Sequence, residues 1–234
     1  TNQFTTDEVK ARTVTGNVTY TATYTQAQFD VTNSVTGENL NAPTSAARNT
    51  PCTVTINGYA EGTYTYTLTY KVGDGEGRTV NSNGNTFTIP GPEITGNITL
   101  LSVTGTAVVH DVELGEGLTG SPTATYGEAY TGTISSYEPA KYTYTVTYTV
   151  GSGAAKAATV YDEDGSFVIV GSEIKGKLRI TRTLTLRKFT VTYTGEYTGR
   201  EEVEYGGNAT LPTAPTGYDY SFTAGGNSWD GRNI

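Results

Sequence analysis

The sequence predicts a mainly β protein made of tandem small sheet modules, β-grasp-like or small sandwiches, of about 80 residues each. Little helix and an end-to-end elongated arrangement are expected with it. Three observations carry this prediction. Thr and Tyr are over-used, with 18 Tyr in 234 residues and no Met. Apolar and hydroxyl residues alternate strictly over several stretches. A group of motifs returns in the same order at nearly constant spacing.

The composition comes first. Thr and Tyr suit the pleated, half-buried surface of a strand and lack the straight stems that favour helices. In Tyr64–Tyr70, residues Tyr64, Tyr66, Leu68 and Tyr70 share one face, and Thr65, Thr67 and Thr69 take the other. Tyr142, Tyr144, Val146 and Tyr148 alternate with Thr143, Thr145 and Thr147 in the same way. Val18, Tyr20, Ala22 and Tyr24 likewise oppose Thr19, Thr21, Thr23 and Thr25, which predicts a strand over Val14–Thr25. A side-chain period of two gives each strand one apolar and one hydroxyl face. Tyr rows of this kind fill a core by default.

The recurrence sets the organisation. VTGNVTYTATYT begins at Val14, ITGNITLLSVTG at Ile94 and IKGKLRITRTLT at Ile174, so that Gly16, Gly96 and Gly176 stand 80 residues apart. The strands beginning at Tyr64 and Tyr142 are 78 apart. TYGEAYTGTI from Thr125 pairs with EYGGNATLPT from Glu204. These markers divide the chain into a tail strand of a preceding unit at 1–25, units at 26–106 and 107–186, and a truncated unit at 187–234. About 80 residues can bury a core of their own. Turns fall between the strands at Gly73–Gly77, Gly151–Gly153, Asn83-Gly84 and Asp164-Gly165, the last two read as two-residue primed turns. The apolar parity switches between Leu186 and Phe189, so one strand ends near Arg187-Lys188 and the next unit starts at once. A β-structured junction of that kind is stiffer than a Gly/Ser linker.

Charge and reactive residues exclude several classes. A net charge of −8 repels phosphate backbones, so nucleic acid is not an expected partner. No apolar run reaches membrane-spanning length, and the opening Thr1-Asn2-Gln3-Phe4 is not a signal peptide, so no membrane insertion is expected in this segment. Cys52 is the single cysteine and reads as a buried thiol. His110 is the single histidine and reads as an incidental strand residue, not a catalytic base. Acidic positions are read as not recurring between units, and the lysines Lys71, Lys141 and Lys188 do not recur in register. Neither catalysis nor Lys-based cross-linking is therefore expected. Asp162-Glu163-Asp164-Gly165 and Asp74-Gly75-Glu76 lack the alternating ligands of a calcium loop and read as turns, so no metal or cofactor is expected.

The unit from Phe189 combines an opening strand, a Tyr205-Gly206 turn, a Leu211-Pro212 step, Gly217-Tyr218 and Trp229. This resembles the internalin-type B-repeat, or Listeria–Bacteroides repeat, whose closing strand looks like Thr95-Gly96-Asn97-Ile98-Thr99 here; mucin-binding-protein repeats are similar in style. The first two units lack the Leu-Pro step and the Trp. The resemblance implies a small β-grasp-like module in a secreted, cell-wall-associated bacterial protein, extracellular and non-catalytic, acting as stalk, spacer or adhesion module. The alternative is a carbohydrate- or mucin-binding module using Trp229, Tyr218 and Tyr220, with host glycan, mucin or matrix protein as partner. Head-to-tail self-association through the orphan strand Val14–Thr25 is the remaining expectation, because open strand edges invite pairing.

Overall fold

The computed structural model describes residues 5–37, 39–210, 212–217, 221–224 and 227–229. The chain is mainly β. A five-residue helix, α1 (Thr6–Lys10), opens it, held by a capping box in which Thr5 and Glu8 bond each other's backbone N–H groups. No strand forms over 14–25, contrary to the alternation there, and these residues are exposed. Alternation supplies a face, whereas a strand also needs a neighbour for its backbone groups, and this segment has no sheet beside it.

The first pair of sheets contains β1 (Gln28–Asn33), β2 (Leu40–Asn41), β3 (Ser45–Ala47), β4 (Cys52–Ile56), β5 (Tyr64–Val72), β6 (Arg78–Asn81), β7 (Thr86–Ile89) and β8 (Ile98–Ala107). The order is β3-β1-β8-β5-β6 in one sheet and β2-β4-β7 in the other. The second pair contains β9 (Val109–Leu114), β10 (Leu118–Gly120), β11 (Thr123–Thr125), β12 (Tyr130–Ile134), β13 (Tyr142–Val150), β14 (Lys156–Ala157), β15 (Thr159–Val160), β16 (Ser166–Ile169) and β17 (Leu178–Leu186). Its orders are β11-β9-β17-β13-β14 and β10-β12-β16-β15. After these come the hairpin β18 (Lys188–Tyr193) with β19 (Gly199–Glu204), and the short pair β20 (Phe222–Ala224) with β21 (Asn227–Trp229).

In both five-stranded sheets the last strand lies between the first and the Tyr-rich strand. It runs parallel to the first (Val31 opposite Ile98; Val112 opposite Leu178) and antiparallel to the Tyr strand. Each core is closed by two sheets. Leu68, Tyr70, Ile98 and Leu100 meet Val54, Ile56, Phe87 and Ile89 in the first. Val146, Tyr148, Leu178 and Ile180 meet Tyr130, Ile134, Phe167 and Ile169 in the second. Burying one such side chain contributes about 1.5–3 kcal/mol. Among the described residues the only helical turns within these stretches are the three-residue Gly91–Glu93 and Gly171–Glu173, so no helix crosses a sheet as a β-grasp requires. Two sheets sharing a core is the small-sandwich arrangement.

The uneven sequence spacing has a structural cause. Backbone bonds between Asn83 and Thr86 close a two-residue turn over Gly84-Asn85, one residue later than the alternation places it, with Gly84 at φ +59°. The corresponding Tyr161–Ser166 bond closes a four-residue loop, 162–165. Those two added residues separate the 78-residue spacing of the Tyr strands from the 80-residue spacing of the glycines. A bulge in β8 at Thr69/Tyr70 leaves Leu101 without an opposite residue, whereas β13 and β17 pair without interruption.

The Tyr faces divide along their length. Leu68 and Tyr70 are buried as expected, as are Val146 and Tyr148, but Tyr64 is exposed and Tyr66, Tyr142 and Tyr144 are half-buried. The outer halves of these strands lie beyond the core, where the chain passes from one sheet pair to the next.

Candidate functional site

Two features recur between the sheet pairs with chemistry attached: a polar cluster at one end of each Tyr strand, and an aromatic seam at the other.

The polar cluster contradicts the expectation that charged positions do not recur. The Tyr70 hydroxyl donates to a Glu93 carboxylate oxygen at 2.6 Å, and Arg78 pairs with the same oxygen at 2.8 Å. In the second pair, Lys156 contacts Glu173, and Tyr148 lies opposite Lys156 in the β13–β14 register. The correspondence escapes a search for shared letters because the cation is Arg once and Lys once, and the intervening loop differs by two residues. Burial, and then the Glu93 hydrogen bond, push the Tyr70 phenol well up. The Tyr70 hydroxyl, followed by Arg78, holds the Glu93 carboxyl below its ordinary range. An open depression of about 400 Å³ adjoins the second cluster, lined by Val150, Gly153, Ala154, Ser172 and Lys175 besides Lys156 and Glu173. Its ionic groups are engaged with each other, so the arrangement braces the sheet.

This cluster yields a pH prediction. A carboxyl depressed in the folded state contributes stability above its unfolded value, about 4.3, and loses it as pH falls through the folded value. Thermal melts of the native chain and Glu93→Gln between pH 7 and pH 2 are expected to show a smaller acid-induced drop in the variant. Equal slopes would show that Glu93 is not linked to folding.

The seam is built from the backbone outward. One residue separates β8 from β9 (Val108), and one separates β17 from β18 (Arg187). Val108 N–H donates to the Thr63 carbonyl at 2.9 Å, and its own carbonyl accepts from Tyr126 N–H at 2.9 Å. Arg187 repeats this, donating to the Lys141 carbonyl at 2.9 Å and accepting from Tyr205 N–H at 2.7 Å. Ala27, just before β1, accepts from Arg48 N–H at 2.8 Å in the same manner. The residues after Arg48, Tyr126 and Tyr205 are Asn49, Gly127 and Gly206, and all three take positive φ. That turn aims each N–H at the joint.

Rings fill the space around the joints. At the first, Tyr64 meets Tyr126 edge-on at 5.3 Å and Tyr66 at 6.0 Å, and Tyr59 adds to Tyr66 at 6.5 Å. At the second, Tyr142 meets Tyr144 at 6.0 Å, Tyr144 meets Tyr137 at 4.8 Å, and Phe189 meets Tyr205 at 6.5 Å. The Lys141 ammonium sits 5.0 Å from the centre of the Tyr142 ring. Such aromatic pairs add about 0.5–1.5 kcal/mol each beyond burial. His110 belongs to the first seam, since its Nε2 lies 2.7 Å from the Gly62 carbonyl and must donate there. The single histidine is thus a seam residue, placed by the tight 57–63 turn, which the alternation does not reveal. At the second joint Arg187 Nε reaches the Tyr142 carbonyl at 3.4 Å.

The other sequence-predicted positions are dispersed. Trp229 lies in β21 opposite Phe222, and Tyr218 and Tyr220 lie outside the described residues. Cys52 is buried in the first core, and burial pushes its thiol up. The acidic loop 162–165 works as a turn: Asp164 accepts from Ser166 N–H at 2.8 Å, and the Tyr137 hydroxyl donates to Asp162 at 3.3 Å. Among the described residues no three His, Cys, Asp or Glu side chains cluster as a metal site, and no helix is long and apolar enough to cross a membrane. No family model matches the chain, and no curated protein matches it.

Proposed function

We propose that this chain is a run of tandem β modules from an extracellular, cell-wall-associated bacterial protein, a non-catalytic stalk or spacer that holds an adhesive element away from the surface. The observation that carries the reading is the recurring joint: one residue between strands, with both backbone groups bonded, in the same way at Val108 and Arg187. A flexible tether leaves such groups to solvent. Here each joint is clamped and then packed with rings, which suits transmission of direction along a chain of modules. The modules are about 26–106 and 107–186, with a further partial one at 187–234. The B-repeat resemblance supports the surface role through its residues alone.

Small-angle X-ray scattering over a dilution series tests the proposal. A compact body of this length has a radius of gyration of about 17–18 Å. The expected value is clearly larger and persists on dilution; a compact value would end the spacer reading. A glycan-array signal abolished by Trp229→Ala would put carbohydrate or mucin binding in its place.

A further inference from the structure

The segment 14–25 carries the pattern of a closing strand. Val14, Val18 and Tyr20 align with Ile94, Ile98 and Leu100, and with Ile174, Leu178 and Ile180. Those six counterparts are all fully buried, at 0 % exposure, in strands that close a sheet. Val14, Val18 and Tyr20 instead stand 63 %, 50 % and 42 % exposed. At the other end of the chain, β18 corresponds to β1 and β9, which take a closing strand in parallel on one edge and a short antiparallel strand on the other. Among the described residues β18 pairs with β19 alone, so the edge that takes a closing strand in the other two sheets is unpaired.

We infer that residues 14–25 of one molecule add to the free edge of β18 in a second copy of this chain, as a parallel strand. The register follows from the two sheets already closed. Val31 faces Ile98 and Val112 faces Leu178, so Val191 should face Val18. Thr192 then faces Thr19, as Thr32 faces Thr99, and Tyr193 faces Tyr20, as Asn33 faces Leu100. Pairing would satisfy backbone groups on both segments and bury Val18, which now lies in solvent. The inference rests on the strand recurrence and not on where the protein resides.

Paired cysteines read the register directly. In a Cys52→Ser background, Thr19→Cys and Thr192→Cys chains are mixed and oxidised mildly. Facing positions lie within disulfide reach, while a two-residue slip moves them about 6.6 Å along the strand. Covalent dimers are expected from this pair, with none from Thr21→Cys with Thr192→Cys. Val18→Asp, in a segment outside every core, should abolish them and leave each chain folded. Absence of dimers, dimers indifferent to Val18→Asp, or dimers from both pairs alike would overturn the inference. So would a cyclised monomer from one chain carrying both Thr19→Cys and Thr192→Cys. The scattering test on dilute monomer is separate, so failure of strand addition leaves the spacer reading standing.

Discussion

Phe87→Ala is expected to melt residues 28–107 well below residues 109–186, splitting one calorimetric profile into two. Phe87 is completely buried between the two sheets of the first core. Truncating a buried Phe costs about 3–5 kcal/mol through lost transfer energy and the cavity left behind. In a unit of this size each kcal/mol moves the midpoint by about 4–8 °C, so a fall on the order of 15 °C or more is expected. Phe167 occupies the same place in the second core, and Phe167→Ala should move the other transition instead. The basis is that the two cores share no residue. Differential scanning calorimetry, with hydrogen exchange assigning each transition to its residues, is the measurement. A single transition that moves as a whole in both variants would mean the cores melt as one, and the modular account would fail.

Gly62→Ala should open the first seam while leaving both cores intact. Gly62 has φ +76°, where an L side chain is strained, and an added Cβ would lie 1.9 Å from the Lys175 carbonyl oxygen. Both obstacles are backbone, so no side chain can turn away from the clash. Left-handed strain of about 1–2 kcal/mol and overpacking of about 1–3 kcal/mol act together. The Gly62 carbonyl also receives the His110 ring, so the shift should break that contact. His110 is the only histidine, which makes its ring nitrogens an unambiguous NMR probe. The expected result is loss of the hydrogen-bonded Nε2 signature with core methyl shifts of both sheet pairs preserved. Gly58→Ala supplies the comparison: φ is +80°, but nothing lies within 4 Å of an added Cβ, so only the conformational strain remains. If Gly62→Ala and Gly58→Ala behave alike, the close approach at Lys175 does not hold the seam.

The sequence carried the β class through its Thr/Tyr alternation and placed the strands Tyr64–Val72, Tyr142–Val150 and Leu178–Leu186 within a residue or two. A side-chain period of two is local, so composition and spacing expose it directly. The buried ends of those strands were legible for the same reason, because Leu68, Tyr70, Val146 and Tyr148 stand where an apolar face must go inward. The break between Leu186 and Lys188 was also readable, since a parity switch marks a strand end whatever surrounds it.

Other features depended on partners distant in the chain. Val14–Thr25 has as clear an alternation as any strand here, yet it forms none, because backbone pairing needs a neighbour that no local pattern provides. The outer tyrosines share the alternation of the core ones, and only the position of the joint makes Tyr64 and Tyr66 seam residues. His110 looked incidental because its partner is a carbonyl, which has no letter in the sequence. Glu93 and Glu173 looked unrelated until the hairpin loops, two residues in one sheet pair and four in the other, put them in the same place. By itself the sequence determined which residues can face inward, since that depends on side-chain chemistry and a period of two. The tertiary structure alone decided which strands pair, which ring meets which and where each joint is clamped, since those depend on backbone groups brought together from far along the chain.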